Sequence, residues 1–223
     1  QITFFKTVYR RYTNFSMDTI RHNFQQADSS LLVDKTRLIR LKIEKYTNLI
    51  HNMYFSFTLP EIKSDANSKF RWIKNIGLNL LNYVYIYIGG QIIDRHYGEW
   101  LHVWNELTLP KDKEDVYNEM IGNIPEIYDP ENAPGNNGVY PGDFIPSIKE
   151  YTIYVPMMFW FNRNPGLALP LIALQGYTVE VECELKPLVE LYTVMDINPN
   201  SDTFGYRVKP NPLISEHGIH NFL

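Results

Sequence analysis

Cysteine is almost missing from this sequence, since Cys183 is the only one in 223 residues. A single thiol cannot form a disulfide within the chain, and it cannot supply a zinc site built on thiolates. A chain with one cysteine suits folding in a reducing compartment. The chain is long enough to bury a hydrophobic core, and we expect that core to hold the fold.

A membrane-spanning run is also lacking, because no stretch approaches the roughly 20 apolar residues that a bilayer needs. No secretory signal peptide is recognisable within the sequence. It opens on Gln1 without a methionine, and we expect a processed or truncated chain. The net charge is −4, which does not indicate a nucleic-acid-binding domain. The charge is unevenly spread. Residues 1–45 hold nine Lys/Arg against four Asp/Glu, whereas residues 99–150 hold three against eleven. These regions could pair within the chain or between copies.

Sequence motifs for catalysis and cofactor binding are missing too. There is no Gly-x-Ser-x-Gly elbow, phosphate-binding glycine loop or dinucleotide fingerprint. His217 and His220 have a chelating spacing beside Glu216, but no further ligands follow at the spacing of a structural zinc site. We therefore expect neither a metal nor another cofactor, and no enzymatic activity.

Alternating apolar and polar residues dominate what is present. Such alternation is typical of half-buried strands, and it occurs at residues 37–45, 53–59, 83–88 and 177–185. Gly89-Gly90 offers the positive φ angles of a tight hairpin after the third run. Several strands punctuated by Gly and Pro predict a sandwich or barrel.

Two of these strands carry side chains that could serve another function. Tyr83, Tyr85 and Tyr87 share one face and could stack on sugars, as in a carbohydrate-binding jelly-roll module. Glu180, Glu182 and Glu184 are about 7 Å apart from one to the next, a spacing that also permits a jelly-roll hydrolase. Three like charges more often face basic residues across a sheet, here Arg40 and Lys42.

One helix is predicted at residues 98–109, where Trp100, Leu101, Trp104 and Leu107 recur at helical spacing. Residues 110–150 then read as a long acidic, proline-rich insertion loop, which is either functional or a solvated excursion. Beyond residue 190 the pattern loosens into a segment that reads as the exit towards a linker.

The segment FWFNRNPGLALPLIALQ, residues 159–175, is apolar but broken by Pro165, Gly166 and Pro170. It cannot be a long helix or an uninterrupted strand. We expect either a buried corner of its own domain or a contact with a neighbouring chain. At the other end, residues 1–19 interleave aromatic and basic side chains, which favours an anchoring arm over a nucleic-acid site.

Three segments carry a family resemblance: ITFFKTVYRRYTNF at residues 2–15, IGGQIIDRHYGEWLHVWNELT at 88–108, and FWFNRNPGLALPLIALQ at 159–175. In this order they resemble the N-terminal half of the major capsid proteins of large nucleocytoplasmic DNA viruses. The resemblance implies an all-β fold, an eight-stranded antiparallel jelly-roll sandwich with a short helix and long inter-strand loops. It further implies an N-terminal arm (1–30), a first jelly roll (31–190) and an exit segment (191–223) towards a second jelly roll outside this chain.

The resemblance also implies a function in assembly. Subunits would form homotrimeric, pseudo-hexagonal capsomers that tile an icosahedral shell around double-stranded DNA, with minor capsid proteins as further partners. The protein would be part of the virion and assemble in the host cytoplasm. The arm would contact neighbours below the capsomer, and the segment 159–175 would pack between jelly rolls or subunits. The residues expected at these contacts are Phe4, Phe5, Tyr9, Arg10, Arg11, Trp160, Phe161, Arg163 and Pro165.

Overall fold

The computed structural model describes residues 14–24, 34–64, 69–134 and 146–223. Within them the regular structure is mainly strand, and every strand pairing is antiparallel. The strands are β1 (Arg37–Lys42), β2 (Leu49–Ile50), β3 (Tyr54–Leu59), β4 (Arg71–Trp72), β5 (Leu81–Ile88), β6 (Gln91–Tyr97), β7 (Tyr151–Pro156), β8 (Leu169–Pro170), β9 (Val179–Leu185), β10 (Tyr192–Met195) and β11 (Arg207–Val208).

The largest sheet of the described residues has the order β1-β9-β5-β6. Three smaller sheets accompany it: β11-β10-β4, β2-β8 and β3-β7. The predicted mostly-strand antiparallel fold is confirmed, while the count of eight strands stays a prediction. No helix in the described part of the chain is long and apolar enough to cross a membrane.

The core forms where the inward faces of these strands meet. On β9 the residues Val179, Val181, Cys183 and Leu185 are all buried, as the alternation predicted. Burial in this apolar setting raises the pKa of the Cys183 thiol to about 12, so the thiol stays neutral.

Gly89 and Gly90 form the predicted hairpin turn between β5 and β6. Their φ angles are +59° and +82°, which glycine adopts without steric cost. Residue 88 pairs with residue 91 across the turn. The turn is closed further by Tyr177, whose ring leaves no room for a Cβ at position 89.

Four α-helices connect the strands of the described residues: α1 (Ile76–Leu80), α2 (Gly98–Thr108), α3 (Glu114–Ile121) and α4 (Pro125–Tyr128). The predicted helix α2 is confirmed, but it buries Leu101 and Asn105, whereas Leu107 is 79 % exposed. Leu107 was therefore wrongly assigned to the packed face.

The segment 110–150 is not a loop throughout, because its first part contains α3 and α4. Tyr117 and Ile121 of α3 are buried, and Tyr151 at the start of β7 donates a hydrogen bond to the carbonyl of Glu119. Further along, Asp129 and Glu131 form ion pairs with Arg71, at 2.7 and 2.9 Å. Part of the acidic charge is thus neutralised on β4.

Residues after 190 belong to the folded body. Tyr192 and Val194 on β10 are buried, and the Tyr192 ring stacks on Phe70 at 4.9 Å. Phe222 is also buried and packs against Phe70 at 5.1 Å. The described part of the exit segment therefore folds against the same core as the strands before it.

Candidate assembly site at the aromatic corner

The segment 159–175, named here the corner segment, folds into short turns rather than a continuous element. Three 3-10 turns span Trp160–Asn162, Pro165–Leu167 and Leu171–Leu174, and β8 lies between the last two. The prolines that excluded a helix start the second turn and end β8. The segment is thus irregular but ordered by local hydrogen bonds.

Alternate side chains of the corner segment face the core. Phe159, Phe161, Leu169 and Leu171 are each at most 4 % exposed. This half of the segment is therefore the predicted buried corner, and the other half faces outward; the contact with a neighbouring chain stays a prediction.

An aromatic stack joins the corner segment to α2. Its members are Trp104, Trp100, His96, Phe159 and Phe161, whose successive ring centroids lie 5.4, 4.7, 4.5 and 5.7 Å apart. All four contacts are close to parallel, with interplanar angles of at most 29°. We name this set the aromatic stack. Such contacts add stability beyond the burial of apolar area.

Arg163 closes the outer end of the stack. Its guanidinium carbon lies 4.7 Å from the centroid of the Trp104 ring, a cation–π distance. Trp160 meets Phe161 edge-on at 5.0 Å, and its backbone N–H donates to Asp94 Oδ2 at 3.3 Å. The structure therefore brings Trp160, Phe161 and Arg163 together around one site.

Hydrogen bonds from outside the corner segment fix its position. His51 Nδ1 lies 3.0 Å from the carbonyl oxygen of Phe161. Near the other end, the Lys45 ammonium donates to the carbonyls of Leu174, Gln175 and Tyr177, the last two at 3.0 and 2.7 Å. The backbone of the corner is thus held at both ends, which keeps its outward side chains in place.

The outward half of the corner carries apolar side chains in water. Leu167 is 50 % exposed and Ile172 is 56 % exposed, and Leu49 on the pairing strand β2 is 57 % exposed. Leu49 lies directly opposite Pro170, which is also exposed. We name Leu49, Leu167, Pro170 and Ile172 the apolar patch. Arg163 and Pro165 of the same segment are also exposed, whereas Phe161 is fully buried.

The tyrosine face of β5 is organised around a buried carboxylate. Glu182 is only 4 % exposed, although the alternation had placed it outside. Arg40 forms an ion pair with it, as predicted, and Tyr87 donates a hydrogen bond to it at 3.2 Å. Burial and the carboxylates of Glu184 and Glu182 raise the pKa of Tyr83 to about 12.

This arrangement weighs against the two alternative functions considered from sequence. The Tyr83 and Tyr85 rings stack on each other at 4.2 Å, so they do not form separate sugar platforms. Glu182 is engaged by Arg40 rather than open to a substrate. Among the described residues, no three His, Cys, Asp or Glu side chains come together as metal ligands.

The predicted contacts of the arm stay predictions. Phe4, Phe5, Tyr9, Arg10 and Arg11 lie outside the described residues. His96, which was not among the predicted site residues, is a central member of the aromatic stack. The four-residue spacing of Trp100 and Trp104 was visible in the sequence, but His96 lies on β6, before α2 begins, so helical spacing does not predict its contact.

Exposed apolar residues on a firmly held corner are typical of an interaction site. Comparison with known proteins identifies the kind of subunit. A family model described as the N-terminus of the major capsid protein matches residues 3–210. The chain belongs to the major capsid protein family of large DNA viruses.

Relatives and solved structures agree with this assignment. The chain is 41 % identical to the major capsid protein of Phaeocystis pouchetii virus over 206 residues, which is 85 % of this chain and 38 % of the relative. It is 32 % identical to that of Paramecium bursaria Chlorella virus 1, over 85 % of this chain and 37 % of the relative. A quasi-atomic model of the PBCV-1 virus capsid superposes with a TM-score of 0.57 at 29 % identity, covering 91 % of this chain and 41 % of that chain. The chain thus spans about two fifths of the proteins it matches.

Proposed function

We propose that the chain is the N-terminal jelly-roll part of a capsid subunit that forms homotrimeric capsomers. These capsomers tile an icosahedral shell around a double-stranded DNA genome. The protein is then a component of the virion, assembled in the host cytoplasm, and it acts as a structural element without catalysis or cofactor. Family membership supports the role in a capsid. The observation that carries the assembly step is the apolar patch on the corner.

The apolar patch suits a subunit interface for two physical reasons. Its side chains are exposed in the single chain, so a neighbour that covers them gains about 25 cal/mol per Å² of apolar area buried. The corner beneath is held by the aromatic stack and by Lys45, so little order is lost when a neighbour binds. Arg163 and Pro165 lie at the rim of this contact, while Phe161 supports it from inside.

The proposal also gives the N-terminal arm a role in assembly. We assign Phe4, Phe5, Tyr9, Arg10 and Arg11 to contacts with neighbouring capsomers or minor capsid proteins on the inner side of the shell. Within the described part of the arm, Phe24 packs on Phe55 at 5.9 Å, which anchors the segment on β3. Removal of residues 1–13 is expected to leave the fold intact and to impair shell assembly.

Charge substitutions on the patch test the proposal in the full-length protein. Ile172→Glu and Leu167→Glu place a carboxylate in the proposed contact, and we expect trimers to dissociate into folded monomers. Val116→Glu is the matched control, because Val116 is 60 % exposed and belongs to α3 rather than to the corner segment. Light scattering after size-exclusion chromatography reads the mass, and circular dichroism checks the fold. Trimers that survive both patch substitutions would remove the patch from the interface.

A further inference from the structure

His96 is a buried ionisable group at the centre of the aromatic stack. It is 2 % exposed, and neither ring nitrogen makes a hydrogen bond within the described structure. Trp100 lies parallel to one face of the imidazole at an angle of 4°, and Phe159 covers it at 29°. The ring thus joins β6 to α2 and to the corner segment.

The surroundings of His96 favour its neutral form. From its own strand, Asp94 is the nearby carboxylate, and it already accepts hydrogen bonds from the N–H groups of Arg95 and Trp160. From the corner segment, Arg163 contributes a positive charge. On the neighbouring strand β5, the residue opposite His96 is the apolar Val84. Helix α2 places Trp100 against the ring, and the ionisable residues of this helix, Glu99, His102 and Glu106, are exposed.

A protonated His96 would be poorly solvated at this place. The faces of the neighbouring rings attract a cation, but they offer no acceptor for its two N–H groups. The backbone of Arg95 and Met158 favours the charged ring, although neither group forms a hydrogen bond with a ring nitrogen. Burial is the largest effect and lowers the pKa of His96; Arg163 acts in the same direction, and Asp94 and the backbone of Arg95 and Met158 oppose it.

We propose that His96 is an acid-sensitive latch between α2 and the corner segment. In mildly acidic solution the imidazole takes up a proton, and the stack separates at His96 so that the charged ring reaches water. The corner segment and the apolar patch then lose part of their support. Loosening of subunit contacts in acid follows from this step, and that consequence alone rests on the proposed function.

The sign of the effect follows from proton linkage. A histidine whose pKa is lowered by folding binds more protons in the unfolded chain, so stability falls as the pH drops below the ordinary pKa of about 6.5. Above that pH the imidazole is neutral in both states and has no such effect. The latch is thus closed at neutral pH and weakened in acid.

The test compares the full-length protein with two variants between pH 8 and pH 5. His96→Phe keeps an aromatic ring in the stack but cannot titrate, and His102→Gln removes an exposed histidine of α2, the helix that carries Trp100 and Trp104. Near-ultraviolet circular dichroism follows the packing of Trp100 and Trp104, and thermal unfolding gives Tm. We expect the wild type and His102→Gln to lose tryptophan signal and about 3 °C or more in Tm below pH 6.5. His96→Phe should lose distinctly less.

Equal pH profiles for the wild type and His96→Phe would overturn the proposal. Should His96→Phe fail to fold, NMR of the histidine rings decides, with the His96 signal assigned by its loss in His96→Gln. A His96 ring that titrates at or above its ordinary pKa in the packed protein would equally overturn it. These measurements do not depend on trimer formation, so a wrong assembly proposal would appear separately in the mass of the particles.

Discussion

The guanidinium of Arg163 lies 4.7 Å from the Trp104 ring centroid and links the corner segment to α2 across 59 positions of sequence. Arg163 is exposed, yet its stem and charge cover the outer end of the aromatic stack. A residue that sequence reasoning assigned to an interface therefore also supports the corner of its own chain. The two roles can be separated by experiment.

Replacing Arg163 tests its role within the chain. Arg163→Ala should lower the free energy of unfolding by about 0.5–1 kcal/mol, the usual size of an exposed cation–π contact. Arg163→Lys keeps the charge but loses the planar guanidinium that lies over the Trp104 ring, so we expect a smaller loss of unfolding free energy than in Arg163→Ala. Urea unfolding monitored by tryptophan fluorescence measures both values. An alanine variant as stable as the wild type would show that the contact contributes nothing.

Phe161 should act mainly through burial. Phe161→Ala removes a fully buried ring that contacts both Phe159 and Trp160, and such changes cost about 3–5 kcal/mol. Phe204→Ala removes the same atoms from a ring that is 54 % exposed. Its cost should be much smaller. Similar unfolding midpoints in urea for the two variants would contradict the packing described for the corner.

Gly98 permits the close approach of α2 to the chain around α1. A Cβ at this position would overlap the backbone carbonyl oxygens of Leu78 and Leu81, and backbone cannot rotate away as a side chain can. Gly98→Ala should therefore cost about 1–3 kcal/mol. Gly176→Ala is the matched control, because nothing lies within 4 Å of its Cβ position. Thermal unfolding should give a lower Tm for Gly98→Ala than for Gly176→Ala. Equal Tm values for the two variants would refute the close approach of α2 to the chain around α1.

Asp196 predicts a separate pH dependence in strong acid. The hydroxyls of Ser201 and Thr203 and the N–H of Asn198 lower its pKa to about 2, below the ordinary value of 3.8. A carboxyl with a lowered pKa stabilises the fold above its unfolded pKa, and this stability is lost as the pH falls from about 4 towards about 2.

Asp196→Asn should remove that part of the acid dependence and be less stable near neutral pH. Asp202→Asn, in the same loop but exposed, should keep the wild-type profile. Urea midpoints at successive pH values from 6 downward provide the measurement. If the urea midpoints of the wild type and of Asp196→Asn fall in parallel as the pH is lowered, Asp196 is not the source of this acid dependence.

Local patterns in the sequence predicted much of the sheet. Alternation placed Val181 and Cys183 inside and identified β5 and β9, because a strand's two faces differ in burial. Gly89-Gly90 predicted the hairpin because few residues other than glycine adopt its φ angles readily. Each of these features is determined by the residues of the segment in which it occurs.

Other features were missed because local signals compete or because contacts are distant. Pro125 was counted as a loop signal, although proline is also favoured in the first turn of a helix, where it starts α4. Gly122, at φ +75°, ends α3 in the common left-handed conformation. The aromatic stack joins residues from β6, α2 and the corner segment, and no local pattern relates His96 to Phe159. Burial of Glu182 likewise depends on Arg40, which is 142 positions away.

Native mass spectrometry of the full-length protein is the most direct test of the central claim, that this chain is part of a self-assembling capsid subunit. The account predicts particles with three times the mass of one polypeptide, which dissociate into monomers when Ile172 is replaced by Glu. A protein that remains monomeric at every concentration up to those used for shell assembly would contradict it.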